Sequence, residues 1–230
     1  MDLAAVVAPT SMADERTLPV AAALAPLLPG GGFVRGRTVA CQGVASTSLA
    51  VALAVEATAA GGWLAVVDVP WLGVEAAGEM GIPLERLVRV EPGPERRKMW
   101  ADLLAAVLDG FDLVVTRVPD GIGQGTLRRV RARVQARGAV LLTVGASGQD
   151  SGDVTMRTVT ATWQGIADGH GHLRARRVCI EASGRRIPVL RRVEVWLPGP
   201  DGALAAGHDI GPAAERDPEP APDMELRSTG

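Results

Sequence analysis

The hydrophobic positions of residues 37–69 predict a strand, a helix and a second strand. The run 37–42 holds β-branched side chains and ends at Gly43. Apolar side chains then recur at helical spacing from Leu49 onward, until a pair of glycines precedes the almost continuous apolar run 63–69. A parallel strand that is buried on both faces requires such a run. The segment therefore predicts a βαβ crossover, and its first turn is where nucleotide-binding folds hold phosphate.

The same two periodicities continue along the chain to about residue 144. Further helices are predicted at residues 19–28, 71–80, 95–108 and 125–137. Further strands are predicted at residues 87–90, 112–118 and 139–144. After Val154 the pattern changes to three alternating segments separated by turn residues, which is typical of an antiparallel meander at the edge of a sheet. These elements predict an α/β fold with a doubly wound, mostly parallel sheet and a C-terminal antiparallel β-meander.

Length and composition indicate one globular domain followed by a tail. The 230 residues are 47% hydrophobic and 22% charged, which is enough apolar sequence for one sizeable core. We expect an N-terminal segment with a short helix at residues 1–30, a core domain at 31–198, and a disordered, acidic, proline-rich tail at 199–230. Met224 and Leu226 lie among acidic residues near the end of this tail and are candidates for a short docking motif.

The turn after Gly43 is the strongest candidate site, but its chemistry is incomplete. A phosphate loop follows the pattern G-x-x-x-x-G-K-[ST], whose glycines expose backbone amides and whose lysine neutralises phosphate oxygens. Gly43 supplies the first glycine, and Ser46, Thr47 and Ser48 supply hydroxyls that can also cap the following helix. The second glycine and the lysine are absent. We therefore predict a degenerate nucleotide site that binds no cofactor and holds no metal.

Two further elements of an ATPase site are missing from the sequence. Where such a fold places a magnesium-orienting aspartate at the end of the strand 112–118, this chain has Thr116 and Arg117. Where the strand 139–144 would end in a polar sensor residue, it ends in valine, glycine and alanine. We therefore predict that the protein is not an enzyme.

Charge is unevenly distributed along the chain, although its formal net charge is only −2. Residues 1–110 carry 8 basic and 12 acidic side chains, residues 111–197 carry 14 and 7, and residues 198–230 carry 2 and 7, which gives −4, +7 and −5. The arginines of the basic segment are candidates for a surface that binds DNA or a protein partner: Arg128, Arg129, Arg131, Arg133, Arg174, Arg176, Arg177, Arg185, Arg186, Arg191 and Arg192. Two interpretations stay open, namely a phosphate-binding surface, and solvated faces or strand edges that arginine protects from aggregation.

The cysteines and histidines favour structural roles. Cys41 and Cys179 each lie in an apolar, strand-like run and are predicted to be buried, reduced thiols. His170 and His172 lie in a glycine-rich turn without cysteines or an acidic cluster at ligand spacing, so we predict no metal site there. No run approaches the roughly 18 apolar residues of a membrane span. We expect a cytoplasmic protein with no membrane partner.

The order of these elements and several of their segments resemble the core of the RecA recombinases. The resemblance covers about residues 24–197 and rests on the segments GVASTSLAVALAVEA, AVVDV, MGIPLERLVRVEP, FDLVVTRVP and GAVLLTVG, followed by an arginine-rich meander. The chain departs from RecA after the second strand, because Pro70 and Trp71 stand where RecA has a catalytic glutamate. The segments PDGIGQG and GASGQDSGD resemble shortened forms of its two DNA-contacting loops.

Among RecA-like proteins that lack these residues, the chain most resembles the actinobacterial ImuA-prime type of mutasome protein, which is related to ImuA and to the SulA inhibitors of cell division. That resemblance implies a non-catalytic accessory factor for DNA-damage-induced, error-prone translesion synthesis. The partners that it implies are an ImuB-like inactive Y-family polymerase homologue and an error-prone C-family DNA polymerase. Two alternatives remain: a DNA-binding RecA paralogue with residual ATP binding, and a SulA-like inhibitor of cell division.

Overall fold

The computed structural model describes residues 17–93, 96–145, 152–167 and 170–207. Its strands are β1 Thr17–Leu18, β2 Phe33–Val34, β3 Thr38–Gly43, β4 Leu64–Val67, β5 Leu87–Val90, β6 Leu113–Arg117, β7 Val140–Val144, β8 Val154–Ala167, β9 His170–Gly184, β10 Ile187–Trp196 and β11 Ala205–Ala206. Its α-helices are α1 Ser46–Ala59, α2 Val74–Glu79, α3 Arg96–Leu108 and α4 Gln124–Arg137, and short 3-10 helices lie at Ala25–Leu27 and Leu84–Arg86. Every helix within these ranges is too short or too polar to span a lipid bilayer.

One sheet of nine strands organises the described part of the chain, in the order β11-β10-β9-β8-β3-β7-β6-β4-β5. The pairings from β8 to β5 are parallel, and those from β8 to β11 are antiparallel. β1 and β2 form a separate antiparallel pair. The predicted α/β fold, with a mostly parallel sheet and a C-terminal antiparallel meander, is therefore confirmed.

The central strands are apolar on both faces because each face packs against its own helical layer. On β4, Leu64 and Val66 belong to the core formed with α1 and the N-terminal segment. The alternating residues Ala65 and Val67 belong to the core formed with α3 and α4. Because both faces of these strands are buried, their sequences are continuous apolar runs rather than alternating apolar and polar residues.

The helix that we predicted at residues 19–28 is wrong. The structure has β1, a turn and a single 3-10 turn, Ala25–Leu27, with a proline in its first positions. Pro26 has no amide hydrogen for an α-helical bond, and its ring disfavours helix in the residues before it. The leucines that gave the apparent helical period, Leu24, Leu27 and Leu28, are buried in the core next to α1.

The structure also corrects the predicted start of the disordered tail at residue 199. Residues 199–207 are described, and Ala205–Ala206 form β11, which pairs with Val195 and Trp196 of β10. A strand of two alanines carries no periodic pattern, so the sequence offered no sign of it. The remainder of the predicted tail, with Met224 and Leu226, lies outside the described residues, as do residues 1–16.

β8 and β9 extend past the carboxyl ends of the parallel strands. β8 pairs with β3 only as far as Thr158, which lies opposite Gly43. β9 pairs with β10 only from Arg177 onward. We call residues 159–167 and 170–177 the β-ribbon. At ~3.3 Å per residue, its β8 strand extends roughly 30 Å from the turn that follows β3.

Because the two cores are close-packed, a core truncation on the α3 side should destabilise the protein strongly. Leu104 is fully buried, whereas Met99 on the same helix is 56% exposed. We expect Leu104→Ala to lower the free energy of unfolding by about 2 to 5 kcal/mol. The matched change Met99→Ala should cost less than about 1 kcal/mol. Urea unfolding followed by far-UV circular dichroism measures both, and equal losses would contradict the assigned orientation of α3.

Candidate functional site

The turn between β3 and α1 is too short to wrap a phosphate group. Gly43 ends β3 and Ser46 begins α1, so only Val44 and Ala45 lie between them. A phosphate loop places four residues between its two glycines and begins its helix after the second one. In this chain the serine and threonine positions that would belong to the loop already form the first turn of α1.

The hydroxyls of this first turn bond to side chains from other elements. The N-cap of α1 is Ala45, and no side chain caps the helix, so the predicted capping by Ser46, Thr47 or Ser48 is wrong. Thr47 Oγ1 accepts a hydrogen bond from Trp71 Nε1 at 3.0 Å. Ser48 Oγ accepts one from Arg176 Nη2 at 2.9 Å. The helix begins too early for these hydroxyls to reach its terminal amides, because they already lie within its first turn.

Thr158 on β8 occupies the N-terminal end of α1, where an anion would bind in a phosphate-binding fold. Its Oγ1 accepts a hydrogen bond from the Ala45 amide at 3.2 Å and donates one to the Gln42 carbonyl oxygen at 3.1 Å. Gly43 has φ of +90°, and a Cβ placed on it would lie 2.3 Å from Thr158 Oγ1 and 2.4 Å from the Thr158 carbonyl oxygen. The turn is therefore closed by direct contact with the neighbouring strand.

The neighbouring strand ends carry hydrogen-bonded and aromatic residues instead of magnesium ligands. Thr116, at the end of β6, is fully buried, and its Oγ1 accepts a hydrogen bond from Trp100 Nε1 at 3.2 Å. Arg117 forms an ion pair with Asp120 at 3.2 Å, and its Cζ lies 5.9 Å from the centroid of the Trp71 ring. Both residues at the position of the magnesium aspartate are thus bonded to other side chains.

Asp68 is a feature of this edge that sequence reasoning missed. It follows β4, is buried, and has φ of +54°, a left-handed conformation that aspartate tolerates better than most residues. Its amide donates a hydrogen bond to the Val90 carbonyl oxygen at 3.1 Å. The resulting sharp turn directs the chain through Pro70 to Trp71, which contacts the first turn of α1.

The residues at this edge do not fit a nucleoside triphosphate with magnesium. Phosphate binding at a helix start needs free amides and a cationic side chain, and magnesium needs oxygen ligands. The Ala45 amide bonds Thr158, and the hydroxyls of Thr47 and Ser48 bond to Trp71 and Arg176. Within the described ranges there is no group of three or more side chains that could hold a metal ion.

A match to a protein-family model shows which family this chain belongs to. The profile of the MT3502 N-terminal domain matches residues 26–149, which is more than half of the chain. The chain belongs to the MT3502 N-terminal domain family. The matched segment includes the turn at Gly43 and all four labelled α-helices, and it ends before β8 and the β-ribbon.

Two further proteins are similar to this chain. The uncharacterized protein Rv3395c of Mycobacterium tuberculosis (strain ATCC 25618 / H37Rv) is 35% identical over 121 residues, covering 52% of this chain and 50% of the relative. The chain thus spans about half the length of the curated relative it matches. A crystal structure of the RadB recombinase matches with a TM-score of 0.55 and 16% identity, over 79% of this chain and 95% of that chain. The similarity to RadB shows a RecA-like fold.

The arginines predicted to form a binding surface lie on separate elements of this protein. Arg128, Arg129, Arg131 and Arg133 are on α4. Arg133 and Arg137 both pair with Asp109, and the hydrogen bond from Arg133 holds the pKa of that carboxyl below its usual value. Arg129 donates to Thr126 Oγ1 at 3.4 Å. Much of the charge on α4 is therefore engaged within the α3 and α4 layer.

The arginines of β9 and β10 are mostly bonded within the sheet. Arg177 pairs with Glu194 and Arg192 pairs with Glu181, each across adjacent strands. Arg191 donates to the carbonyl oxygens of Pro26 and Leu28 at 3.0 and 2.9 Å. These three guanidinium groups are therefore bonded within the protein. Arg174, Arg185 and Arg186 make no hydrogen bond or ion pair within the described residues. Arg185 and Arg186 follow the last residue of β9, at its opposite end from Arg174, so the structure does not bring these three arginines together in one surface.

Arg176 differs from the other arginines because it connects three elements. Its Nε donates to the Leu197 carbonyl oxygen at 2.7 Å, and its Nη2 donates to Ser48 Oγ at 2.9 Å. Its Cζ lies 5.0 Å from the centroid of the Trp163 ring. Burial lowers the pKa of this guanidinium. Arg176 therefore links β9, α1 and the chain after β10 beside the closed turn.

Sequence reasoning missed Thr158, Trp71 and Trp163 as members of this site. A regular hairpin counted back from its turn would have placed Trp163 opposite Arg174. The irregularity at Gly165 places one residue on β8 against three on β9, and Trp163 pairs with Arg176 instead. Gly165 has φ of +95°, and a Cβ there would lie 2.1 Å from the His172 carbonyl oxygen. This isolated glycine in a strand pattern was the available signal.

The predictions for the cysteines are confirmed, and those for the histidines are tested in part. Cys41 and Cys179 are buried free thiols, and burial raises the pKa of the Cys41 thiol to about 12. The Cys41 thiol is therefore not a nucleophile at neutral pH. His172 is exposed on β9. The side chain of His170 lies outside the described residues.

The contact between Gly43 and Thr158 predicts a severe effect of a single methyl group. Gly61 provides a matched control, because it also has positive φ (+99°) but no atom lies within 4 Å of a Cβ there. We expect Gly43→Ala to cost roughly 3 kcal/mol or more, since it combines strain with overpacking. Gly61→Ala should cost about 1 to 2 kcal/mol from backbone strain alone. Losses of equal size in urea unfolding would show that the closed turn is not tightly packed.

Proposed function

We propose that this protein is a non-catalytic, RecA-like accessory protein that docks other proteins of a DNA-damage-induced mutagenesis machinery. The observation that carries the non-catalytic part is the closed turn after β3. Thr158 bonds the Ala45 amide, and the first turn of α1 offers its hydroxyls to Trp71 and Arg176. An ATPase at this position needs the reverse arrangement, with amides and hydroxyls facing the phosphates.

The RecA-like scaffold supports the accessory part of the proposal. The sheet and both helical layers are retained with two apolar cores, while the elements for phosphate and magnesium are replaced. A scaffold of this size that performs no chemistry still offers large surfaces for binding other macromolecules. The resemblance of the sequence to ImuA-prime proteins supports a cytoplasmic role in error-prone translesion DNA synthesis.

The partners that fit this proposal are an ImuB-like inactive Y-family polymerase homologue and an error-prone C-family DNA polymerase. Both follow from the resemblance of the sequence to ImuA-prime proteins. Met224 and Leu226, which lie among acidic residues, are our candidates for one docking element.

Affinity purification of the tagged full chain from DNA-damaged cells tests the accessory role. We expect the ImuB-like protein to co-purify, and we expect the double variant Met224→Ser, Leu226→Ser to recover less of it because two apolar anchors are lost. The variant Arg185→Gln, on the exposed β9–β10 turn, serves as the control and should recover the wild-type amount. Recovery of a tubulin-like filament protein in place of the polymerase homologue would contradict the proposal and favour inhibition of cell division.

Thermal unfolding with and without nucleotide tests the absence of ATP binding. A site with micromolar affinity would stabilise the folded state by about 4 kcal/mol at a thousandfold excess of ligand. For a chain of this length that corresponds to a rise in Tm of roughly 10 °C. We expect millimolar ATP with magnesium to leave Tm within about 1 °C of a control at matched ionic strength with magnesium sulfate. A rise on the scale expected for micromolar binding would overturn the non-catalytic proposal.

A further inference from the structure

Two exposed tryptophans flank the closed turn, and each is paired with an arginine. Trp71 is 53% exposed and Trp163 is 40% exposed. The guanidinium carbon of Arg117 lies 5.9 Å from the Trp71 ring centroid, and that of Arg176 lies 5.0 Å from the Trp163 ring centroid. Trp71 follows β4 and Trp163 lies on the β-ribbon, so both exposed rings lie at the carboxyl edge of the parallel strands.

The first turn of α1 brings these two pairs together. Trp71 donates to Thr47, and Arg176, which stacks on Trp163, donates to the next residue, Ser48. Both tryptophan–arginine pairs are therefore attached to two consecutive residues in the first turn of α1. The Trp71 indole is held by its own hydrogen bond, and the Trp163 ring stacks on Arg176, which is held by two hydrogen bonds. Little rotamer freedom therefore remains to be lost when a ligand binds.

The β-ribbon carries positive charge beside Trp163, and Arg157 lies on β8 just before the β-ribbon. From Val154 to Arg177 the sequence carries Arg157, Arg174, Arg176 and Arg177 against the single acid Asp168. Arg157 donates only to the neutral Gln42 side chain, at 2.7 Å, and Arg174 makes no hydrogen bond or ion pair within the described residues. Of these four arginines, Arg177 is the one paired with a carboxylate in the described structure.

We propose that this surface, formed by Trp71, Trp163 and the arginines of the β-ribbon, binds single-stranded nucleic acid. Stacking of bases on exposed aromatic rings, next to cations that contact phosphates, is how proteins bind single strands without reading their sequence. A duplex keeps its base faces stacked inside, so it can use the arginines but not the rings. A protein partner that packed apolar side chains on these rings would bury the adjacent guanidinium groups away from anions, whereas phosphates beside stacked bases neutralise them. The proposal is independent of the docking function and goes beyond it.

Fluorescence anisotropy with labelled oligothymidine of about 20 nucleotides, a length that exceeds one typical single-strand site, tests this proposal on the full chain. We expect Trp163→Leu and Trp71→Leu each to weaken binding about tenfold, the scale of one lost base stack. Trp63→Leu is the matched control. Trp63 is also 40% exposed and its ring lies 5.2 Å from the Arg86 guanidinium carbon, but it precedes β4 and lies at the opposite edge of the sheet. This variant should bind like the wild type.

Salt dependence provides the second measurement. Each phosphate contact on a single strand contributes about 0.7 to the slope of log K against log salt concentration, so Arg174→Gln should lower that slope by about 0.7. Arg186→Gln removes the same charge at the far end of β9 and should leave the slope unchanged. A duplex of the same length should bind at least tenfold more weakly than the single strand.

Four results would overturn the proposal. These are no binding of the single strand by the wild type, equal loss with Trp63→Leu and Trp163→Leu, equal change in slope with Arg186→Gln and Arg174→Gln, or equal affinity for duplex and single strand. If the tryptophan variants lost a protein partner while oligothymidine binding stayed intact, the surface would be a protein-docking site, and the proposal would again be wrong. Failure of the docking function alone leaves all of these measurements unaffected.

Discussion

The contact between Gly43 and Thr158 is the constraint on which the character of this molecule depends. β8 pairs in parallel with β3 up to this point, and only a glycine at the end of β3 lets the Thr158 backbone and hydroxyl come so close. The Thr158 hydroxyl donates a hydrogen bond to the Gln42 carbonyl oxygen near the end of β3 and accepts one from the Ala45 amide at the start of α1. In a phosphate-binding fold the same amides hold a ligand. Here the Thr158 hydroxyl bonds the Ala45 amide in place of such a ligand.

Closure of the turn changes what the carboxyl edge of the sheet presents to solvent. Because the hydroxyls of α1 are no longer directed at a phosphate, they position Trp71 and Arg176, and Arg176 in turn positions Trp163. The family profile includes the turn and ends before the β-ribbon, so the surface combines a family element with a later segment of the chain. The proposed docking function and the proposed binding of single strands both use a scaffold that is RecA-like in fold.

Helices and strands that follow from hydrophobic periodicity could be predicted from the sequence. Features that depend on how distant strands pair could not. The apolar runs 63–69 and 139–144 were recognisable as buried strands, and the switch to alternation after Val154 located the meander. The same period counting misled at residues 19–28, because it ignored the prolines. The site needed long-range information: the role of Thr158 depends on the register of β8 against β3, and the partner of Trp163 depends on the irregularity at Gly165. The absence of the phosphate-loop lysine could be seen in the sequence itself, because the identity of a residue does not depend on how the strands pair.

A crystal structure of the full chain grown with millimolar ATP and magnesium tests the central claim most directly. We predict that the Thr158 hydroxyl still bonds the Ala45 amide and the Gln42 carbonyl oxygen, with no ordered triphosphate at the turn. An ordered triphosphate and metal ion against Gly43, with Thr158 displaced from the start of α1, would contradict it.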